Sequence, residues 1–310
     1  MISVVVLTYN AATHLPALLD SLATQTIDHE LIIIDSSSTD KTTSLLSERG
    51  VKYYSIDQKD FNHGGTWNLG VSLTTYEDIV LLTQDAIPAE PNSLEKLVAI
   101  MNSQPAIGMA YGRQLAYPKS QLMSQFARLT NYPSQSIIKS KADIAVMGIR
   151  TCHCSNSFAA YRKSVLLSVG GFPTDTIIGE DVVIGARLIQ AGYSIAYCAD
   201  TQVYHSHDYT IREEFKRYFD IGAFHQQQRP LLRPFQRAES QGFKYVLAEW
   251  RYLYRNNALS FIPSQLLRTG AKYIGYRLGR MYQKVPNRWK FKLSMHPNFW
   301  ISNTIQESDH

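Results

Sequence analysis

Residues 2–8 read Ile-Ser-Val-Val-Val-Leu-Thr, an apolar, β-branched run that closes on the polar residues Thr8, Tyr9 and Asn10. An amphipathic stretch follows, with Leu15, Leu18, Leu19 and Leu22 at helical spacing. Glu30-Leu-Ile-Ile-Ile-Asp35 is a second buried run and ends in a carboxylate. Strand, crossover helix and strand predict a parallel βαβ unit, because parallel neighbours need a crossover connection. Open parallel sheets bind ligands beyond the carboxyl ends of their strands. The hydroxyl, amide and carboxylate of Thr8, Asn10 and Asp35 at those ends suit a base and a ribose. No Gly-x-Gly-x-x-Gly follows the first run, so the dinucleotide fingerprint is missing. A nucleotide held without a glycine turn points toward a nucleotide sugar.

The chain of 310 residues, 45% apolar and 18% charged, has enough material for one large domain or a domain with an appendage. It contains no uncharged apolar run long enough to span a bilayer, and the N-terminal run lacks the basic flank of a signal peptide. Three cysteines do not make a disulfide framework. Cys152-His153-Cys154 has no second pair and Cys198 stands alone, so a thiol metal site is disfavoured. The expected compartment is the cytoplasm.

Strands are expected near 2–8, 30–35, 51–56, 79–84, 107–113, 155–161, 194–198 and 201–205. Helices are expected near 13–24, 40–49, 64–74, 92–103, 163–169, 180–191 and 210–226. The alternation predicts an α/β fold with a mostly parallel mixed sheet flanked by helices. Arg229-Pro230, Arg233-Pro234 and Gly242 break the pattern, and a boundary is placed there, giving domains 1–226 and 227–310. Between Lys244 and Lys292 there are 11 Lys or Arg and one acid, Glu249, while the rest of the chain has 20 basic against 25 acidic residues. The net charge of +5 is therefore a property of the tail.

The tail reads as helices. Leu267, Ala271, Ile274, Leu278 and Met281 share one face, and Arg268, Lys272, Arg280 and Lys284 another. With its tyrosines and tryptophans this suits a helix lying in an anionic membrane interface, where each Lys or Arg adds about 1 kcal/mol. The plainer alternative is a helical subdomain with its apolar face on the core and a solvated basic face. Nucleic acid has charge alone in its favour and is not expected as a partner.

Four polar clusters carry the remaining chemistry. Thr83-Gln84-Asp85 ends an apolar strand, so Asp85 is placed either to bind a divalent cation on a diphosphate or to cap the next segment. Glu180-Asp181 opens an amphipathic helix, where acids complement the helix dipole or one of them serves as a general base. His205 and His207, two apart after a short strand, project to one side toward a metal or phosphate, or belong to a polar loop. Phe61-Asn-His-Gly-Gly-Thr-Trp-Asn68 leads into a helix, and glycines there leave backbone N–H groups for an anion.

In order, Phe61-Asn-His-Gly-Gly-Thr66, Thr83-Gln-Asp-Ala86, Arg128-Leu-Thr-Asn-Tyr-Pro133, Ser155-Asn-Ser157 with Ala160-Tyr-Arg162, Gly170-Gly-Phe-Pro173, Glu180-Asp181, His205-Ser-His207 and Arg217-Tyr-Phe-Asp-Ile-Gly222 resemble the family 2 glycosyltransferases of the inverting, Rossmann-like GT-A kind. The resemblance is to bacterial rhamnosyltransferases of O-antigen and other surface polysaccharides, and it covers residues 1 to about 226. It implies dTDP-L-rhamnose as donor, Mg2+ or Mn2+, a glycan acceptor on a polyprenyl diphosphate, and a peripheral place on the inner face of the bacterial inner membrane. It implies that Thr8, Tyr9, Asn10 and Asp35 hold the nucleotide and that His63, Gly64, Asn68 and Gln84 line the donor site. Asp85 would hold metal and diphosphate with His205 or His207, Asp181 would be the base, and Glu180 would lie near the acceptor. Gln84 replaces the first Asp of D-x-D, Trp67 stands where relatives carry Arg, and no Gln-x-x-Arg-Trp follows Asp181, which argues against a processive synthase. A nucleotidyltransferase would need a glycine-rich N-terminal loop, and a decayed glycan-binding scaffold would not need Asp85 together with Asp181.

Overall fold

The computed structural model describes residues 1–235 and 241–301, with the side chains of 241–243 undescribed. All seven residues of β1 (Ile2–Thr8) are buried, which explains its unbroken apolar run: a strand covered on both faces has no solvent side to alternate with. β2 (His29–Asp35) and β4 (Asp78–Thr83) flank it in parallel, and β3 (Tyr53–Ser55) extends the sheet beyond β2. The other strands are β5 (Ile87–Pro88), β6 (Ile107–Leu115), β7 (Ile137–Lys139), β8 (Phe158–Arg162) and β9 (Ser194–Tyr204). The sheet order is β3-β2-β1-β4-β8-β6-β9-β5, with β7 paired to β9. β8 is antiparallel to both its neighbours, while β6 and β9 are parallel. This is the mixed, mostly parallel sheet expected from the sequence.

The helices are α1 (Leu15–Ala23), α2 (Thr42–Glu48), α3 (His63–Leu73), α4 (Ser93–Asn102), α5 (Leu122–Asn131), α6 (Ile144–Met147), α7 (Lys163–Ser168) and α8 (Glu180–Gln190). They continue with α9 (Ile211–Gln227), α10 (Arg229–Leu232), α11 (Gln241–Arg255), α12 (Ile262–Arg280) and α13 (Asn287–Leu293). Leu15, Leu18, Leu19 and Leu22 of α1 are buried against the sheet, as their spacing requires. The core joins them to Val4, Val6, Ile33, Val80, Leu82, Leu97, Ala110 and Phe158.

Two features depart from the sequence reading. β5, β7, α5 and α6 are short or weakly patterned and have no counterpart among the expected elements. The two strands expected at 194–198 and 201–205 are one strand, β9. Its pairing with β6 jumps from Gly112–Cys198 to Arg113–Gln202, so Ala199, Asp200 and Thr201 form a bulge, which interrupts the period without ending the strand.

The described residues form two compact units, one of residues 1–120, 127–174 and 180–206, the other of 121–126, 175–179, 207–235 and 241–301. The first holds the whole sheet. In the second, α9 is capped at Thr210 by a reciprocal box with Glu213 and packs along α12. Glycines permit this contact: a Cβ on Gly275 would lie 2.3 Å from the Phe215 carbonyl oxygen, and one on Gly279 would lie 2.0 Å from that of Phe219. Arg268 and Lys272 of α12 point inward and pair with the buried Glu214 of α9, each at 3.2 Å. The solvated basic face of the plainer reading is thus absent at these two positions. No helix among the described residues is long and apolar enough to cross a membrane.

Candidate active site

Strand direction gathers the polar residues on one rim. β1, β2, β4, β6 and β9 all point their carboxyl ends to it, and antiparallel β8 brings its amino end there. The rim therefore presents Thr8-Tyr9-Asn10, Asp35, Gln84-Asp85, Gln114, Ser155-Asn156 and His205 from the ends of six strands.

The first corner is built around Asp35, which is fully buried. Its Oδ1 accepts from the Thr8 hydroxyl at 3.0 Å and the Ser38 hydroxyl at 2.6 Å, and its Oδ2 accepts from the Ser38 N–H at 2.9 Å. The Ser38 hydroxyl oxygen in turn accepts from the Asn10 N–H, and the Asn10 side-chain oxygen accepts from the Thr39 N–H, both at 2.9 Å. Asn10 and Ser37 have φ of 50° and 57°, a left-handed conformation that non-glycine residues hold only where neighbours enforce it. Gln84 ties β4 to β1, accepting from the Tyr9 N–H at 2.7 Å and donating to the Tyr9 carbonyl at 3.1 Å. A carboxylate at this position could not make both bonds, because an ionised acid only accepts.

Asp85 and His205 form the second corner, with Nε2 3.4 Å from Oδ2. Nδ1 of the buried His205 lies 2.9 Å from the Gln114 side-chain oxygen, and Gln114 donates its amide N–H to Ser155 at 2.9 Å. The chain from Ser155 through Gln114 thus orients the imidazole through Nδ1 and turns Nε2 toward Asp85. Orientation of an imidazole by a hydrogen bond at its other nitrogen is the usual support of a metal ligand. His207 adds a further nitrogen, and the ligand atoms of Asp85, His205 and His207 all lie within 4.8 Å of one another. A carboxylate with imidazoles fits a divalent ion of the Mn2+ kind better than Mg2+, which prefers oxygen and water. Tyr117, without any signal in the sequence, donates to the Asp85 carbonyl at 2.8 Å. Burial, with the Asp85 charge, pushes its hydroxyl up to about 12, so it stays protonated.

The third corner is the start of α8. Asp181 Oδ1 accepts from the Val182 N–H at 2.7 Å. Asn156 reaches Glu180 at 3.4 Å while accepting from the Tyr161 hydroxyl at 2.6 Å, which ties the helix start to the rim. From below, the Cys154 thiol donates to the Asp181 carbonyl at 3.1 Å, and a Cβ on Gly185 would lie 2.1 Å from the Cys152 carbonyl oxygen. Cys152 and Cys154 are buried, and burial raises Cys152 to about 12, so both act as packing groups under α8. The fully buried Lys139 donates to the Tyr111 hydroxyl and the Arg150 carbonyl, both at 3.2 Å, and to the His153 carbonyl. It fixes the segment beneath α8 from the other side. Burial pulls His63 below its ordinary value, while the nearby Asp181 carboxylate raises it, so His63 and Asp181 share one electrostatic neighbourhood.

The 61–68 segment serves the site through its backbone. Asn62 caps α3 by accepting from the Gly65 N–H at 2.9 Å. A Cβ on Gly64 would lie 1.8 Å from the Pro173 carbonyl oxygen, so glycine is required there for close approach. Asn68 clamps the same 170–173 loop, donating to the Phe172 carbonyl at 2.8 Å and accepting from the Phe172 N–H at 2.9 Å. Trp67 is buried in the core, so the position has no side chain directed at a phosphate.

The mixed α/β sheet of this order, with its polar residues gathered on one rim, has the fold of the GT-A glycosyltransferases. A mannosyltransferase from Pyrobaculum calidifontis, solved in complex with GDP-Man and Mn2+, has this fold with a TM-score of 0.55, 17% identity, and coverage of 98% of this chain and 86% of that one. Glucosyl-3-phosphoglycerate synthase from Mycobacterium tuberculosis, solved with Mg2+ and UDP, matches with a TM-score of 0.53 and 18% identity over 77% of this chain and 81% of that one. The family model described as glycosyl transferase family 2 matches residues 3–170. An O-antigen chain rhamnosyltransferase of Salmonella typhimurium is 46% identical over 99% of this chain and 98% of its own length. A second, from Salmonella anatum, is 45% identical over 90% of this chain and 88% of its own. The chain belongs to glycosyl transferase family 2 and is a glycosyltransferase.

Proposed function

We propose that the protein transfers L-rhamnose from dTDP-L-rhamnose to a growing O-antigen glycan carried on a polyprenyl diphosphate, with inversion at the sugar. The observation that carries this reading is the 46% identity, over nearly the full length of both chains, to an O-antigen chain rhamnosyltransferase. Thr8, Tyr9, Asn10 and Asp35 would bind the nucleotide, with Asp35 shaping the corner from beneath. His63, Gly64, Asn68 and Gln84 would line the donor side, the last two by fixing the backbone that touches it. Asp85, His205 and His207 would hold a divalent cation, which when bound neutralises the departing diphosphate.

Asp181 takes the proton from an acceptor hydroxyl, and Glu180 positions that acceptor. The hydroxyl oxygen attacks C1 of the sugar as the C1–O bond to dTDP breaks, so one bond forms and one breaks in a single inverting step. Residues 1–226 carry this chemistry. The basic, aromatic region 227–310 holds the enzyme to the inner face of the inner membrane, where the lipid-linked acceptor lies.

A donor screen tests the proposal. Purified protein with Mg2+ or Mn2+ should release nucleotide from dTDP-L-rhamnose and not from UDP- or GDP-sugars. Release from a UDP- or GDP-sugar instead would overturn the donor assignment.

A further inference from the structure

α12 is oriented opposite to an ordinary surface helix. Its inward side carries Gly275 and Gly279 against α9, and Arg268 and Lys272 paired with Glu214. Arg268 also donates to the Tyr209 carbonyl at 2.7 Å. Its outward side is apolar, with Leu266 51%, Leu267 64%, Tyr273 64% and Ile274 53% exposed. These positions recur at the spacing of a single helix face, and Met281, just beyond the helix, continues it. A contiguous exposed apolar stripe of this kind marks a surface that is covered in use.

Charge decides what covers it. Arg277 lies on the stripe itself, and Lys284, Arg288 and Lys292 follow it, all exposed. Trp289, 47% exposed, lies under the Lys292 ammonium, 5.4 Å from its ring centre. Glu249, the one acid between Lys244 and Lys292, is buried against Gln265 at 2.7 Å. A second copy of the chain docked on this face by two-fold symmetry would set the cations against themselves with no acid to pair them. The complementary partner carries negative charge above an apolar layer, which is an anionic lipid surface.

We propose that the outward face of α12 lies in the boundary between headgroups and acyl chains of an anionic bilayer. The helix runs along the membrane plane, Leu266, Leu267, Tyr273 and Ile274 enter the acyl boundary, and Arg277 and the following cations contact lipid phosphates. This deepens the membrane reading above by naming the surface, and it does not depend on which sugar is transferred.

The test is co-sedimentation of the full chain with vesicles of phosphatidylcholine alone or mixed with phosphatidylglycerol. The wild-type chain should bind the anionic vesicles and leave the neutral ones. Leu267→Asp with Ile274→Asp should weaken binding by about tenfold or more, while Leu267→Met with Ile274→Leu should bind as wild type does. Melting temperature and nucleotide release from dTDP-L-rhamnose in detergent-free buffer check that the acidic variant is folded and competent. Unchanged vesicle binding by the acidic variant would overturn the proposal. So would a wild-type dimer that this variant splits without any vesicle binding. Vesicle binding that behaves as expected while no dTDP-rhamnose is consumed would leave the surface standing and remove the donor assignment alone.

Discussion

Asp181 and Asp220 are both carboxylates on helices, in different surroundings. Asp181 sits in the first turn of α8, where its Oδ1 is bound by the Val182 N–H. Asp181→Asn keeps that oxygen and removes the proton acceptor. Turnover should fall by about 10²- to 10⁴-fold while the dTDP-induced rise in melting temperature survives. A folded variant with near-normal turnover would rule Asp181 out as the base. Asp220, on α9, is buried, accepts from the Met295 N–H at 2.8 Å with Oδ2, and has no hydrogen-bond partner at Oδ1 among the described residues. Burial raises it to about 7, against the pull of Ser294 and Met295. Between about pH 4 and pH 7 the folded chain keeps a proton that the unfolded chain releases, so this stability is present at low pH and lost as pH rises. At about 1.4 kcal/mol per pKa unit the loss is on the order of 4 kcal/mol. Asp220→Asn should therefore raise the melting temperature above pH 7 and change it little near pH 4. Equal shifts at both would show that the carboxylate is not titrating in this window.

At the scale of elements, α12 yields a paired prediction from two glycines. A Cβ added at Gly270 would meet nothing within 4 Å, so Gly270→Ala should stabilise by up to about 1 kcal/mol through helix propensity. A methyl on Gly279 would meet the Phe219 carbonyl at 2.0 Å, so Gly279→Ala should part α12 from α9 and cost several times that amount, about 3 kcal/mol. Chemical denaturation of the two variants checks the sign of each. The same helix marks where reading the chain stops. Periodicity shows that Leu267 and Ile274 share a face, but which face is buried depends on Glu214, a partner on a different helix far earlier in the chain. β1, β2 and β4 were legible because strands covered on both sides are apolar throughout. β7 and α6, with partly exposed residues, leave no such pattern. Thr8, Asp35 and Asp85 could be found as the last polar residues of apolar runs. Gln114 and Tyr117 could not, since their roles come from strand pairing and from hydrogen bonds across the fold.

For the whole molecule, the site's dependence on a divalent ion is the direct test of how the rim is assembled. Excess chelator should abolish transfer, and Mn2+ should restore it more fully than Mg2+, given imidazole nitrogens beside one carboxylate. Full activity in chelator would detach Asp85 and His205 from that role. The rim draws Thr8, Asp35 and Asp85 from the parallel half of the sheet, and Gln114 and His205 from strands beyond β8. Because β8 runs against both neighbours, β6 ends and β8 begins on the same edge. The chain between them, residues 116–157, leaves and re-enters the sheet at the rim, and in between it lays β7 against β9 and buries Lys139, Cys152 and Cys154. Closing a longer excursion at such a point costs little, since loop entropy grows only with the logarithm of length. A lengthened turn next to the rim, before β7 begins, should accordingly cost this chain little stability while the sheet and the corner around Asp35 stay as they are.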